Sequence, residues 1–269
     1  MIMILLNAFL YNTQLWLIVL ILLIAVFIFY LLGAQTGRYT KLKWPESKAD
    51  GIGPLEGALL GLLSLLLGFT LSQSASRYDT RRALIIHEAN DIGTVILRSD
   101  MYQDSIRTQF KNDLEQYVEK RIAYYEAMDE GDIEKSLLEA EKISTRIWDR
   151  VMASSKKFPD FVRDNQMIPA VNSMIDIVNN RDASRLGRVP DPIIYLLMVL
   201  ALLGSFIVGY AKKENKNDWI ILTLYSVMTI ATIFVILDID RPRRGLIQTS
   251  VPHEKVDQLK NLFHAEQIQ

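Results

Sequence analysis

The sequence predicts an all-α integral membrane protein with four transmembrane helices and a helical extramembrane domain between the second and the third. Half of the 269 residues are hydrophobic although 23% are charged, so the apolar residues must be segregated along the chain. They gather in four runs of nearly membrane-spanning length. The long segment between the second and third runs has few helix breakers, and its apolar residues recur at three- and four-residue intervals.

A bilayer core about 30 Å thick needs about 20 mostly apolar residues at about 1.5 Å of rise per residue. Leu15 to Leu32, Leu55 to Leu71, Ile193 to Tyr210 and Trp219 to Leu237 approach that length. Trp16 and Tyr30 bracket the first, Tyr195 and Tyr210 the third, and Trp219 opens the fourth, as aromatic residues do at membrane interfaces. The first run has the position of a signal peptide, with Gly33 and Ala34 behind it. No Lys or Arg precedes it and its apolar stretch exceeds an h-region, so a retained span is expected. In the second run, GLLSLLLGFTLSQSASRYDTRRALIIHEANDIGT (Gly61 to Thr94) passes from lipid-soluble into charged amphipathic sequence. Arg77, Arg81 and Arg82 follow the span directly while Leu84, Ile85, Ile92 and Ile96 continue an apolar face. The second span is therefore expected to run on as one helix, rigidly coupling bilayer and extramembrane domain.

That domain covers Ser74 to Pro190. Ile106, Phe110, Leu114, Tyr117, Arg121 (by its stem), Tyr124 and Met128 mark one face of a long helix. Gly131 is expected to end it, with Asp132 as the N-cap of the next. The next helix carries Ile133, Leu137, Ala140, Ile147 and Val151 and is expected to pair antiparallel with its predecessor. A last helix holds Ile168, Val171, Ile175 and Val178 before RVPDP breaks the chain. The expected division is 1–73 (N-terminal segment and first helix pair), 74–190 (helical domain), 191–238 (second helix pair) and 239–269 (C-terminal segment).

Composition also excludes. With no cysteine the chain has no disulfide framework, thiolate metal site or thiol nucleophile, and a net charge of -1 argues against a nucleic-acid binder. No GxSxG, Walker, GxGxxG or HExxH pattern occurs, and no intramembrane carboxylate pair, so no enzyme and no cofactor are expected. His87 has no second histidine at metal-ligand spacing, and Asp238 and Asp240 beside Arg241, Arg243 and Arg244 form a self-neutralising cluster, so no metal site is expected. Orientation is not fixed by charge. Arg38, Lys41, Lys43, Lys48, Lys212, Lys213 and Lys216 on one side oppose Arg77, Arg81, Arg82, Arg181, Arg185, Arg188, Arg241, Arg243 and Arg244 on the other.

The second span differs from the others. Gly57, Gly61 and Gly68 punctuate it, and GALLG has the small-xxx-small spacing of close helix packing. Gly61, Leu65 and Phe69 also share a four-residue spacing, so a ring of such helices would line an axis with apolar side chains and gate by dewetting. Glu56 would place a carboxylate ring at one mouth, and Asn90 an interhelical hydrogen bond beyond the membrane.

The stretch LLGFTLSQSASRYDTRR resembles the second-span signature of bestrophins. HEANDIGT, MIPAVNSMIDIVNNR and LDIDRPRRGLIQTSVPHEKVDQL resemble the uncharacterised bacterial bestrophin-like membrane proteins more closely. The resemblance covers about Leu60 to Leu262. It implies a pentameric ion channel in the bacterial inner membrane, with both termini and the helical domain cytoplasmic and a hydrophobic neck on the second span. By position it assigns Gly68 and Phe69 to the neck's Gly-Phe, Leu65 and Gly61 to the turns before it, and Arg77 to the exit arginine. Tyr78 and Asp79 replace the tryptophan pair of bestrophins, and the acidic calcium clasp is missing. Neither calcium gating nor anion preference is therefore implied. The partners expected are the bilayer, a permeating small ion and further copies of the chain. The competing reading is a non-conducting scaffold or signal transducer whose helical domain binds a cytoplasmic partner.

Overall fold

The computed structural model describes residues 13–43, 52–211, 219–241, 243, 245–247 and 250–264. All regular structure among them is helical: α1 (Leu15–Lys43), α2 (Ile52–Arg98), a 3-10 turn (Ser99–Met101), α3 (Asp104–Glu126), α4 (Glu130–Lys157), α5 (Phe161–Leu186), α6 (Asp191–Tyr210), α7 (Trp219–Ile239), α8 (Ser250–Asp257) and α9 (Lys260–His264). Of the charges weighed for orientation, Lys48, Lys212, Lys213, Lys216 and Arg244 lie outside the described residues. Two compact units form, Met1–Ser76 with Arg188–Ile247, and Arg77–Gly187 with Gln248–Gln269.

In the first unit all four expected spans lie on helices long and apolar enough to cross a bilayer, so the protein is a multi-pass membrane protein. Ile18, Leu22, Val26 and Tyr30 of α1, Leu63 and Leu67 of α2, Leu197 and Ala201 of α6, and Ile233 and Ile236 of α7 share one core. Opposite faces leave Leu20, Ile24, Leu203, Ile221 and Val227 exposed, as lipid contact requires.

α1 and α6 run parallel with their backbones in contact. A Cβ on Gly33 would fall closer than 3.0 Å to the Phe206 carbonyl, one on Gly37 to the Tyr210 carbonyl, and one on Gly209 to the Tyr30 carbonyl. Only glycine permits that approach, and close approach is how helices associate where no water drives them together. The Ser205 hydroxyl reinforces it by donating to the Val26 carbonyl at 2.6 Å. Among the described residues the close helix approach within the chain is therefore made by GAQTG of α1 with Gly209 of α6, and GALLG of the second span makes none.

The second unit packs α3, α4, α5 and the outer half of α2 around Ile85, Ile92, Val95, Phe110, Leu114, Tyr117, Ile147, Met167, Val171 and Met174. α3 and α4 are antiparallel: Asp113 pairs with Arg150 at 2.8 Å, and Lys120 pairs with Glu139 at 2.8 Å further along. The turn between them differs from expectation. α3 ends at Glu126 and α4 starts at Glu130 with Asp129 at its N-cap, so Gly131 lies inside the first turn and Asp132 is helical. Met128 accordingly leaves the apolar face and is exposed. α5 is capped by the Asp160 carboxylate, which accepts from the backbone N–H of Val162 and Arg163 at 3.0 and 3.1 Å. Val256 of α8 and Leu259 beyond it are buried in the same core.

Candidate functional site

α2 is one unbroken helix of 47 residues, about 70 Å long against a bilayer core of about 30 Å. It buries Leu63, Leu67, Thr70 and Ser74 inside the first unit and turns Gly61, Leu65, Gly68, Phe69, Ser72 and Ser76 outward. Leu65 is 55% and Phe69 63% exposed. Gly57, Gly61 and Gly68 make no close approach: a Cβ on any of them would meet nothing within 4 Å. The expected packing role of Gly57 and Gly68 is thus not exercised within the chain. Glu56 is half-buried and, five residues before Gly61, points about 140° away from it around the helix. A carboxylate ring on the Gly61–Leu65–Phe69 face is not what this position provides.

In the second unit Arg77 is half-buried, and its Nη1 is buried without a hydrogen-bond partner among the described residues. His87 and Asn90 are exposed. No interhelical bond of the Asn90 side chain is made among the described residues, and its carbonyl accepts from the Thr94 hydroxyl at 2.8 Å.

The residue of HEANDIGT that matters to the fold is Glu88, wholly buried on the apolar face three residues after Ile85 and four before Ile92. Its Oε1 accepts from Arg121 Nε at 2.5 Å, and its Oε2 accepts from Tyr125 Oη and Arg181 Nη1, each at 2.6 Å. Burial pushes the carboxyl up, but the charges of Arg121 and Arg181 and the hydrogen bonds of Arg121 and Tyr125 reverse that and lower it from 4.5 to about 2. The same surroundings push the Tyr125 hydroxyl well up, burial first and then the Glu88 charge. Arg121 is more than an apolar stem: its guanidinium is fully buried 4.5 Å from the Tyr124 ring.

At the exit of α7 the acidic cluster closes loops. The Asp238 carboxylate accepts from Leu246 and Ile247 N–H at 2.8 and 2.9 Å, and Asp240 accepts from Val189 N–H at 2.8 Å. Arg241 Nη1 donates to the Thr13 carbonyl at 2.9 Å. No cluster of metal-binding side chains occurs among the described residues.

The profile of the Bestrophin-like domain matches residues 46–252. The chain belongs to the bestrophin-like family. Its fold is similar to the crystal structure of a bacterial bestrophin homologue from Klebsiella pneumoniae, with a TM-score of 0.69 at 11% identity over 92% of this chain and 98% of that one. Two single-substitution variants of that homologue match alike, one at TM-score 0.70 with 10% identity over 93% and 99%, the other at 0.69 with 10% identity over 94% and 99%. No curated protein matches the chain. At such identity the likeness establishes a bestrophin fold, and the side chains on it must be argued from their own chemistry.

Proposed function

We propose that this bestrophin-like protein is a homo-oligomeric ion channel, a pentamer in the bacterial inner membrane, whose neck is the α2 face of Gly61, Leu65 and Phe69. The observation that carries the reading is that face itself. Large apolar side chains alternate with glycines that pack against nothing in their own chain. The next outward positions, Ser72, Gln73 and Ser76, are polar. The face therefore passes from apolar to polar one turn past Phe69, where a dry constriction would open into a wetted conduit. The family supports the oligomer and the permeating ion, and the same analogy supports cytoplasmic termini and a cytoplasmic helical unit.

Gly57 and Gly68 then serve contacts between copies, which the absence of a Cβ leaves room for. Arg77 remains the exit arginine by position. The Glu56 ring is not retained. The experiment is ion flux through liposomes holding the full chain, with its mass in detergent. A pentamer with Phe69-dependent flux supports the proposal, and a monomer or dimer without flux sinks it in favour of a scaffold.

A further inference from the structure

We infer that the cleft between α4 and α5 of the helical unit binds a small organic cation, a primary amine with a short hydrocarbon body. The cleft has a volume of about 270 Å³, with Tyr117 of α3 in its wall, close to the lower end of about 300 Å³ at which small-molecule sites begin. It deepens from solvent into the core: Glu141 is exposed, Leu137, Ile175 and Val178 are half-buried, and Ala140 and Tyr117 are buried. Arg185, further along α5, reaches Glu130 in the first turn of α4 at 3.0 Å and ties the two helices together past the end of the cleft.

The wall has two parts. Leu137, Ala140, Ile175 and Val178 offer water no hydrogen bond, and they favour a hydrocarbon body. Glu141 and Asp182 are the charged groups of the wall, and both are acids. Asp182 accepts from Arg185 Nε at 2.9 Å, but it shares that arginine with Glu130. Glu141 makes no ion pair among the described residues, and Lys142 beside it in sequence acts on Glu139. The deeper cluster of Arg121, Arg181 and Glu88 carries one surplus positive charge. Glu130, Asp182 and Glu141 against Arg185 outweigh it, so the surroundings of the cleft keep one net negative charge.

A bare metal ion does not fit that wall. A hard cation takes about six to eight oxygens, and no group of three or more metal-binding side chains occurs among the described residues. An ammonium group needs fewer. Its three N–H donors match the Glu141 and Asp182 carboxylates and the Asn179 side-chain carbonyl, all on the cleft. The Tyr117 ring adds the attraction of an aromatic for a cation.

Thermal unfolding of the full chain in detergent tests the proposal with n-butylammonium chloride as the probe. Sodium chloride at equal concentration supplies the charge without the body, and n-butanol added to it supplies the body without the charge. At ten times its dissociation constant the amine raises the wild-type midpoint by about 3–5 °C over both controls. Glu141→Gln, at an exposed position, shrinks the shift, and Val178→Phe, which fills the cleft, abolishes it. Asp149→Asn, at an exposed acid of α4 outside the cleft, leaves it unchanged. Equal wild-type midpoints in amine and sodium overturn the proposal, as does an equal shift with butanol. A shift untouched by Glu141→Gln also overturns it, and that comparison decides alone if Val178→Phe does not fold. None of these readouts depends on conduction.

Discussion

Replacing Glu88 by Gln tests the buried cluster directly. The shape is kept, the negative charge is lost, and Arg121 and Arg181 are left facing each other inside the core. Holding the carboxyl at about 2 rather than 4.5 is worth about 3 kcal/mol at neutral pH, within the roughly 3–5 kcal/mol that removing one partner of a buried ion pair costs. The expected midpoint of thermal unfolding at pH 7 is lower than wild type by about 5–10 °C. The pH dependence has a definite sign. Because the folded value is the lower one, the contribution is complete above 4.5 and is lost as pH falls from there towards 2. The gap between wild type and Glu88→Gln should therefore be constant from pH 7 to 5 and close on further acidification. A variant within about 1 °C of wild type at pH 7, or a gap that widens in acid, refutes the reasoning.

Gly33→Ala should cost about 1–3 kcal/mol in unfolding free energy, because its Cβ meets the Phe206 backbone, which cannot yield as a side chain would. Gly131→Ala, in the open first turn of α4, should instead leave stability unchanged or raise it by up to about 1 kcal/mol in the same titration. Asp160→Ala removes the cap of α5 and should cost about 1 kcal/mol, with faster amide exchange at Val162 and Arg163 as its local signature.

The spans were legible because membrane length and hydropathy are local properties, and the unbroken α2 was legible because the apolar face of Ile85, Ile92 and Ile96 continues past Arg77. What packs against what was harder to read. GALLG and GAQTG carry the same spacing, and only the position of α6 decides that Gly33 and Gly37 are the pair in contact. The Asp129 cap was missed because three acids, Asp129, Glu130 and Asp132, surround Gly131, and propensity alone does not choose among them. Glu88 had a readable signal, an acid in the middle of an apolar stripe, with Arg121 in the equivalent place on α3. His87 and Asn90, the more conspicuous polar residues of the same stretch, face outward. The neck residues are legible as a spacing, but their function depends on other copies of the chain.

The most direct test of the channel reading compares ion flux through liposomes holding wild-type protein with flux through Phe69→Ala and Leu65→Ala together, on samples whose oligomeric mass has been measured. The account predicts a pentamer and a larger flux in the variant, because removing the aromatic and aliphatic side chains widens and wets the constriction. Flux unchanged by both substitutions, or absent from a chain that is monomeric or dimeric, contradicts it.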